Sequence, residues 1–260
     1  MPPSVSRWSE LRASLDAVER WLLPGECLLC HGAVETDPRD PLICAPCRSR
    51  WAPLPLPQCP RCGQPLSPGI ECRLCADWPP GLTGIRSAVW LDDSARRAVH
   101  LLKYEGWWRV SEAMATCLQR RLSLERGITL IPIPLGAARL RSRGYNQSAV
   151  LAEALAKRLG VPVAAAVLAR RRDTATQTAL TPEARRANLA GAFAARRAVP
   201  ARPVLVDDVF TTGATLVEAA TALLAAGAKT VSGVTFARAA RPLAGAAAAP
   251  DPRRSFWSTS

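Results

Sequence analysis

Val204-Leu-Val-Asp207-Asp208-Val209-Phe210-Thr211-Thr212-Gly213-Ala214-Thr215 is the stretch that decides the fold. Its aliphatic, β-branched opening reads as a buried strand that delivers two carboxylates at its C-terminal end. A Thr-Thr-Gly-x-Thr turn follows and enters an apolar helical pattern over 213–226, stopped by Gly227. In open α/β sheets ligands bind beyond the carboxyl ends of the strands. Backbone N–H groups, the helix dipole and three hydroxyls make such a turn a phosphate cradle, expected over Thr211, Thr212, Gly213, Ala214 and Thr215. Gly213 permits a close approach that a Cβ would block. Asp207 and Asp208 then stand where they would accept from the 2′- and 3′-hydroxyls of a ribose whose 5′-phosphate fills the cradle. No Gly-Lys-Ser/Thr occurs, which excludes a P-loop, and no Gly-x-Gly-x-x-Gly, which excludes the dinucleotide fingerprint. The bland alternative is an acidic turn before a threonine-capped helix. The register of strand, Asp-Asp and Thr-Thr-Gly-x-Thr argues against it.

The flanks alternate strands and helices. Strands are expected over Ile85–Leu91, Leu130–Pro134, Arg202–Asp208 and Thr230–Ala237. Helices are expected from near Ser94, over 107–123 and over 146–159, the last closed by Gly160. The pattern predicts an α/β domain with a mostly parallel sheet flanked by helices, spanning 85–239. Residues 1–25 hold an amphipathic helix (9–23) stopped by Pro24-Gly25, 79–84 read as a linker, and 240–260 as a disordered Ala/Pro/Ser-rich tail.

Between them, 26–78 is a cysteine-rich region. Eight of nine cysteines fall in four Cys-x-x-Cys pairs: Cys27/Cys30, Cys44/Cys47, Cys59/Cys62 and Cys72/Cys75. Two residues between sulfurs let a tight knuckle aim both thiolates at one ion, and two knuckles complete a four-sulfur Zn²⁺ site. Eight thiolates suit two structural zinc ions, paired sequentially or cross-braced. A disulfide framework wants an oxidising compartment and a secretion signal. The N-terminal residues, MPPSVSRWSELRASLDAVER, alternate charge and apolar character, so a cytoplasmic location is expected. His31 reads as a bystander, and Cys117 as a buried thiol on a helix.

With 48% hydrophobic and 21% charged residues over 260 positions, the chain is an ordinary globular protein, with no apolar run long enough for a membrane span. Its charge of +13 is lopsided. Residues 1–84 carry 8 Arg against 9 acidic residues, whereas 85–260 carry 26 Lys/Arg against 12. The second part would therefore meet polyanions or phosphorylated substrates. A bias toward Arg, which makes up 31 of the 34 basic residues, is the competing explanation.

The Asp-Asp-x-x-Thr-Thr-Gly-x-Thr segment resembles the motif by which type I phosphoribosyltransferases bind 5-phosphoribosyl 1-pyrophosphate (PRPP). The cysteine pairs narrow the resemblance to the ComF competence family, a double zinc ribbon joined to such a domain. Leu102-Lys103-Tyr104-Glu-Gly106, Ile131-Pro-Ile-Pro134 with Arg139-Leu-Arg141-Ser-Arg143-Gly-Tyr-Asn146-Gln147, and Gln177-Thr-x-Leu180 through Arg185-x-x-Asn188 complete it. The resemblance implies that Asp207 and Asp208 hold the ribose hydroxyls directly or through Mg²⁺, and that residues 211–215 hold the 5′-phosphate. It also implies that the basic turn bearing Arg139, Arg141 and Arg143 meets pyrophosphate. Residues 174–191 stand in the place of a mobile loop from which Arg185 would reach the leaving group, while Arg185, Arg186 and Asn188 read equally as surface residues. Lys103 reads more simply as a helix C-terminal charge than as a ligand. The implied chemistry is displacement of pyrophosphate from ribose C1. A rival of another class is a single-stranded-DNA-binding module whose ribbons dock an uptake helicase, with Trp90, Trp107 and Trp108 as stacking surfaces. A regulator sensing PRPP without turnover uses the same residues.

Overall fold

The computed structural model of the chain describes residues 25–34, 42–67, 69–172 and 189–239. A one-turn helix α1 (Ala45–Ser49) lies in the cysteine-rich region. Next come β1 (Leu82–Trp90), α2 (Asp93–Tyr104), α3 (Val110–Arg121), β2 (Thr129–Pro132), α4 (Ala137–Arg143) and α5 (Gln147–Leu159). After these follow β3 (Leu168–Arg170), β4 (Phe193–Ala195), β5 (Pro203–Phe210), α6 (Ala214–Ala225) and β6 (Val231–Arg238). Local chemistry sets the boundaries. Asp92 caps α2 by accepting from the Ala95 N–H at 2.8 Å, and Gly160 ends α5 in the left-handed conformation.

Four strands form one sheet in the order β1-β6-β5-β2, every neighbouring pair parallel. All four C-termini therefore open on one edge, where an α/β sheet binds its ligands. The sheet separates two cores. On one face α2, α3 and α5 pack with Val204, Val206, Val234 and Phe236. On the other, α6 and the antiparallel pair β3–β4 pack with Ile85, Ile131 and Leu205.

The cysteine-rich region grips the β1 edge and feeds both cores. Backbone bonds run from Trp90 N–H to Ala52 O (2.8 Å) and from Ile85 N–H to Arg61 O (2.9 Å). These bonds cap an edge that would otherwise offer itself to another chain. Cys27, Cys44, Cys47 and Trp51 join the first core, whereas Cys59, Cys62, Cys75 and Trp78 join the second. Trp51, 1% exposed, meets Phe236 edge-on with ring centroids 4.8 Å apart.

The parallel α/β sheet and its helices follow the sequence pattern, with four differences. Strand β1 starts at Leu82, so 82–84 of the expected linker are strand. The basic turn after Ile-Pro-Ile-Pro is helix α4, because Gly136 opens it and left-handed Gly144 closes it. Strand β5 continues two residues past the carboxylates, held by Val209 and Phe210 pairing with Ala237 and Arg238. The short β3–β4 pair carried no periodicity in the sequence. The expected helix at 9–23 and tail at 240–260 lie outside the described residues. No helix among the described residues is long and apolar enough to cross a membrane.

Candidate functional site

The eight paired cysteines gather into two tetrads, Cys27/Cys30/Cys44/Cys47 and Cys59/Cys62/Cys72/Cys75, so the pairing is sequential. Sulfurs sit 3.7 Å apart for Cys30–Cys44, 3.6 Å for Cys59–Cys75, 3.4 Å for Cys62–Cys72 and 3.8 Å for Cys72–Cys75. A tetrahedron with zinc–sulfur bonds of about 2.3 Å has edges of about 3.8 Å, so the donor set fits zinc. Each tetrad also holds one sulfur ready to ionise. At Cys27 and Cys59 burial opposes the thiolate, but backbone N–H donors outweigh it and bring both down to about 7. Those donors include Cys44 and Leu29 for Cys27, at 3.4 Å each, and Arg61 and Cys62 for Cys59. His31 belongs to neither tetrad. Cys117 is buried in α3, and burial pushes its thiol up to about 11.

The second centre lies on the open sheet edge. Strand β2 ends at Pro132, paired with Val206, and beyond Val206 two helices reach β5 through Ser148 and Lys103. Asp208, 2% exposed, forms an ion pair with Lys103 at the end of α2. Asp207 accepts from Ser148 Oγ at 2.7 Å and from the Asp208 N–H at 3.0 Å. Burial, reinforced by the neighbouring Asp208 carboxylate, pushes the Asp207 carboxyl up to about 7. Burial works against the Lys103 ammonium, but Asp208 and Asp207 outweigh it and hold its pKa above the ordinary value.

After Phe210 the turn exposes Thr211, half-buries Thr212 and Thr215, and buries Gly213 and Ala214. Gly213 opens α6 at φ +79°, and the Ala214 N–H reaches Thr212 Oγ1 at 3.4 Å. The space a Cβ on Gly213 would need is taken by the protein itself. It would lie 2.8 Å from two carbons of the Phe210 ring and 3.2 Å from Trp78. The turn thus rests on a packed aromatic base, with Thr211 exposed and Thr212 and Thr215 half-buried above it.

The loop after β2 is knitted to this edge. Asn146 caps α5, accepting from the Ser148 N–H at 3.0 Å and donating to Ile133 O at 2.9 Å. Tyr145 donates its hydroxyl to Leu102 O, and Arg143 bonds Gln147 while its guanidinium lies 5.1 Å from the Tyr104 ring centroid.

A family model described as a phosphoribosyl transferase domain matches residues 146–252, and one described as a double zinc ribbon domain matches 18–76. The chain is 34% identical over 220 residues to the DNA utilization protein YhgH of Salmonella typhi, covering 80% of this chain and 95% of that one. It is 31% identical over 218 residues to YhgH of Escherichia coli (strain K12), with the same coverage. Competence protein ComFC of Bacillus subtilis is 29% identical over 234 residues, 82% of this chain and 94% of that protein. The chain belongs to the ComF family. It has that family's double zinc ribbon and phosphoribosyl transferase domain.

Within this ComF-family chain, Asp207, Asp208 and the turn 211–215 stand together at the sheet edge. Arg139 and Arg143 on α4 are half-buried and Arg141 is exposed. Arg185, Arg186 and Asn188 lie outside the described residues. Lys103 and Ser148 are the residues that sequence reasoning set too low. The helical spacing of Lys103 signalled only a last-turn cation, and Ser148 carried no signal beyond an N-terminal helix position. Their roles come from two helices converging on β5. Of the tryptophans, Trp108 is 49% exposed, whereas Trp90 and Trp107 are half-buried.

Proposed function

We propose that the chain binds PRPP with Mg²⁺ at the C-terminal edge of β5 and serves DNA uptake in natural transformation. The observation that carries this reading is the juxtaposition of Asp207 and Asp208 with the Thr-Thr-Gly-Ala-Thr turn at the start of α6. Carboxylates accept from ribose hydroxyls, while the hydroxyls and N–H groups of 211–215 satisfy a 5′-phosphate. Arg139, Arg141 and Arg143 would meet the pyrophosphate, with Arg185 closing from its loop. Asp207 offers hard oxygen donors of the kind Mg²⁺ takes, Asp208 would have to leave its pair with Lys103 to join it, and the ion would supply charge neutralisation at the pyrophosphate. As a transferase, the protein would hold ribose C1 while its bond to pyrophosphate oxygen breaks. Pyrophosphate leaves with the electron pair, and an acceptor lone pair forms the new bond through an oxocarbenium-like transition state. A PRPP sensor would use the same contacts without turnover. Eight thiols kept for metal suit a cytoplasmic setting.

Calorimetric titration of the zinc-loaded chain with PRPP and Mg²⁺ tests this reading. One binding event per chain is expected, weakened at least tenfold by Asp207→Asn. Absence of binding to a folded, zinc-loaded chain would overturn it.

Single-stranded DNA is the second reading, with the ribbons as the docking face for an uptake helicase. Two exposed aromatic rings favour it. Tyr104 is 68% exposed beneath the Arg143 guanidinium, and Trp108 has Arg109 at 5.9 Å. Base stacking on such rings is worth about 1–3 kcal/mol each, and Arg139 and Arg141 would add phosphate contacts. Tyr104→Ala with Trp108→Ala should weaken an oligonucleotide complex at least tenfold. An unchanged affinity would remove this reading.

A further inference from the structure

The second cysteine tetrad touches the phosphate turn through three side chains. Arg238 ends β6 and is 1% exposed. Its Nη1 donates to Cys62 O at 2.8 Å, and its Nε and Nη2 donate to Gln64 Oε1 at 3.2 and 3.0 Å. The same guanidinium lies 4.0 Å from the centroid of the Phe210 ring, the ring on which Gly213 rests. From the other side comes Trp78, whose N–H bonds Cys75 O at 3.3 Å and whose ring lies 6.3 Å from that of Phe210. Arg61, inside the Cys59/Cys62 knuckle, fixes this approach by donating to Cys75 O, Trp78 O and Pro79 O at 2.9, 2.7 and 2.8 Å. Leu74, Asp77 and Trp78 then face Thr212, Ala214, Val217 and Glu218 across a crevice of about 120 Å³.

Among the described residues the first tetrad makes no corresponding approach. Cys27, Cys44 and Cys47 belong to the core on the opposite face of the sheet, with Trp51 and Phe236. The two tetrads are thus unequal toward the turn, although their sulfur geometry is alike.

We propose that the second tetrad sets the shape of the Thr211–Thr215 turn, with Arg238 as the positioning residue that carries its state to Phe210. The four donors fit zinc, and a metal there fixes the Cys59/Cys62 and Cys72/Cys75 knuckles from which Cys62 O, Gln64 and Trp78 reach out. A knuckle that loosens withdraws two of the Arg238 partners and one wall of Phe210. The ring then loses the position that Gly213 requires, and the N–H groups opening α6 lose their alignment. Metal occupancy at Cys59, Cys62, Cys72 and Cys75 therefore governs the phosphate turn, and occupancy at the first tetrad does not. For the function this rests on the PRPP reading above; for the coupling itself it rests only on the packing.

Hydrogen exchange in the full zinc-loaded chain, read at amides 211–217 without ligand, tests the coupling independently of PRPP. Cys72→Ser and Cys30→Ser remove one donor from the more exposed side of each tetrad. Each should leave one tightly bound zinc. Cys72→Ser should speed exchange at 211–217 at least tenfold, and Cys30→Ser less than twofold. Arg238→Met should raise exchange at the same amides with both zinc ions retained, and Arg238→Lys should restore part of the protection. Equal effects of the two cysteine variants, or wild-type exchange in a two-zinc Arg238→Met chain, would overturn the proposal. Should Cys72→Ser fail to fold, the Arg238 pair decides alone. A chain that shows the coupling but binds no PRPP would refute the ligand and leave the device standing.

Discussion

Replacing Lys103 by Met removes the cation from a carboxylate that has almost no access to water. Asp208 is 2% exposed, and the Lys103 side chain is 21% exposed. Two unit charges about 3 Å apart in an effective dielectric of about 20 attract by roughly 5 kcal/mol, part of which offsets the cost of desolvating both. Removing one partner leaves the other charge buried, which costs about 3–5 kcal/mol in comparable pairs. Met keeps most of the length and apolar stem of Lys, so cavity effects stay small. The assay is urea unfolding of the zinc-loaded chain at fixed free zinc, since bound metal adds to apparent stability. Lys103→Met should lose about 3–5 kcal/mol. Adding Asp208→Asn should recover at least half of that, because the orphaned charge is then gone. A loss below about 1 kcal/mol, or a double variant no more stable than Lys103→Met, would refute a buried pair here.

Metal analysis should find two zinc ions per chain, and one after Cys-to-Ser substitution in either tetrad; two zincs in a variant lacking one donor of a tetrad would contradict four-sulfur coordination. Gly213→Ala should cost about 2–4 kcal/mol, because φ is +79° and the new methyl would lie 2.8 Å from the Phe210 ring; a melting temperature within about 2 °C of wild type would count against that packing. PRPP affinity should rise from pH 6 to pH 8, since Asp207 is pushed up to about 7 and accepts hydroxyl donors best as the carboxylate. Asp207→Asn should flatten this rise to what the ligand's own phosphates contribute, and an identical pH profile in the variant would remove Asp207 from the site.

Much of this architecture was legible because strand and helix periods, Gly stops and Cys-x-x-Cys pairs are local signals. The strand up to Asp208, the turn after Phe210 and the four Cys-x-x-Cys knuckles follow from spacing within a few residues, whereas the sequential choice of partners for the knuckles comes only from the fold. What escaped is what long-range packing decides. Lys103 stands 105 positions before Asp208, and nothing around it distinguishes a buried partner from a last-turn charge. Ser148 bonds Asp207 across 59 positions, in a helix whose start is set by Asn146. Arg238 reads as one more arginine in an arginine-rich chain, yet 174 positions separate it from Gln64. The helix α4 was hidden for a different reason. Its seven residues bury none of their number, so no apolar stripe marked it.

The ion pair changes how the charge of this edge bears on the two functional readings. Taken as bare sequence, Asp207-Asp208 is a double negative charge that would repel nucleic-acid phosphates. In the folded chain Lys103 neutralises Asp208, and Asp207 titrates near neutrality. Repulsion is therefore a weak argument against DNA, and the case for a ribosyl ligand must stand on hydrogen-bond geometry instead. Both bonds that Asp207 makes among the described residues fall on Oδ1. Its second oxygen carries no hydrogen bond among the described residues. A hydroxyl donor satisfies that oxygen, whereas a DNA phosphate, which carries acceptors alone, does not. The proposed ligand brings donors and an anion together, as a sugar phosphate does. The exposed rings of Tyr104 and Trp108 offer a different kind of contact, Tyr104 following Lys103 in the last turn of α2 and lying under Arg143. The two readings share the arginines of α4 and part at the carboxylates and the rings, so Asp207→Asn and the Tyr104→Ala/Trp108→Ala pair separate them.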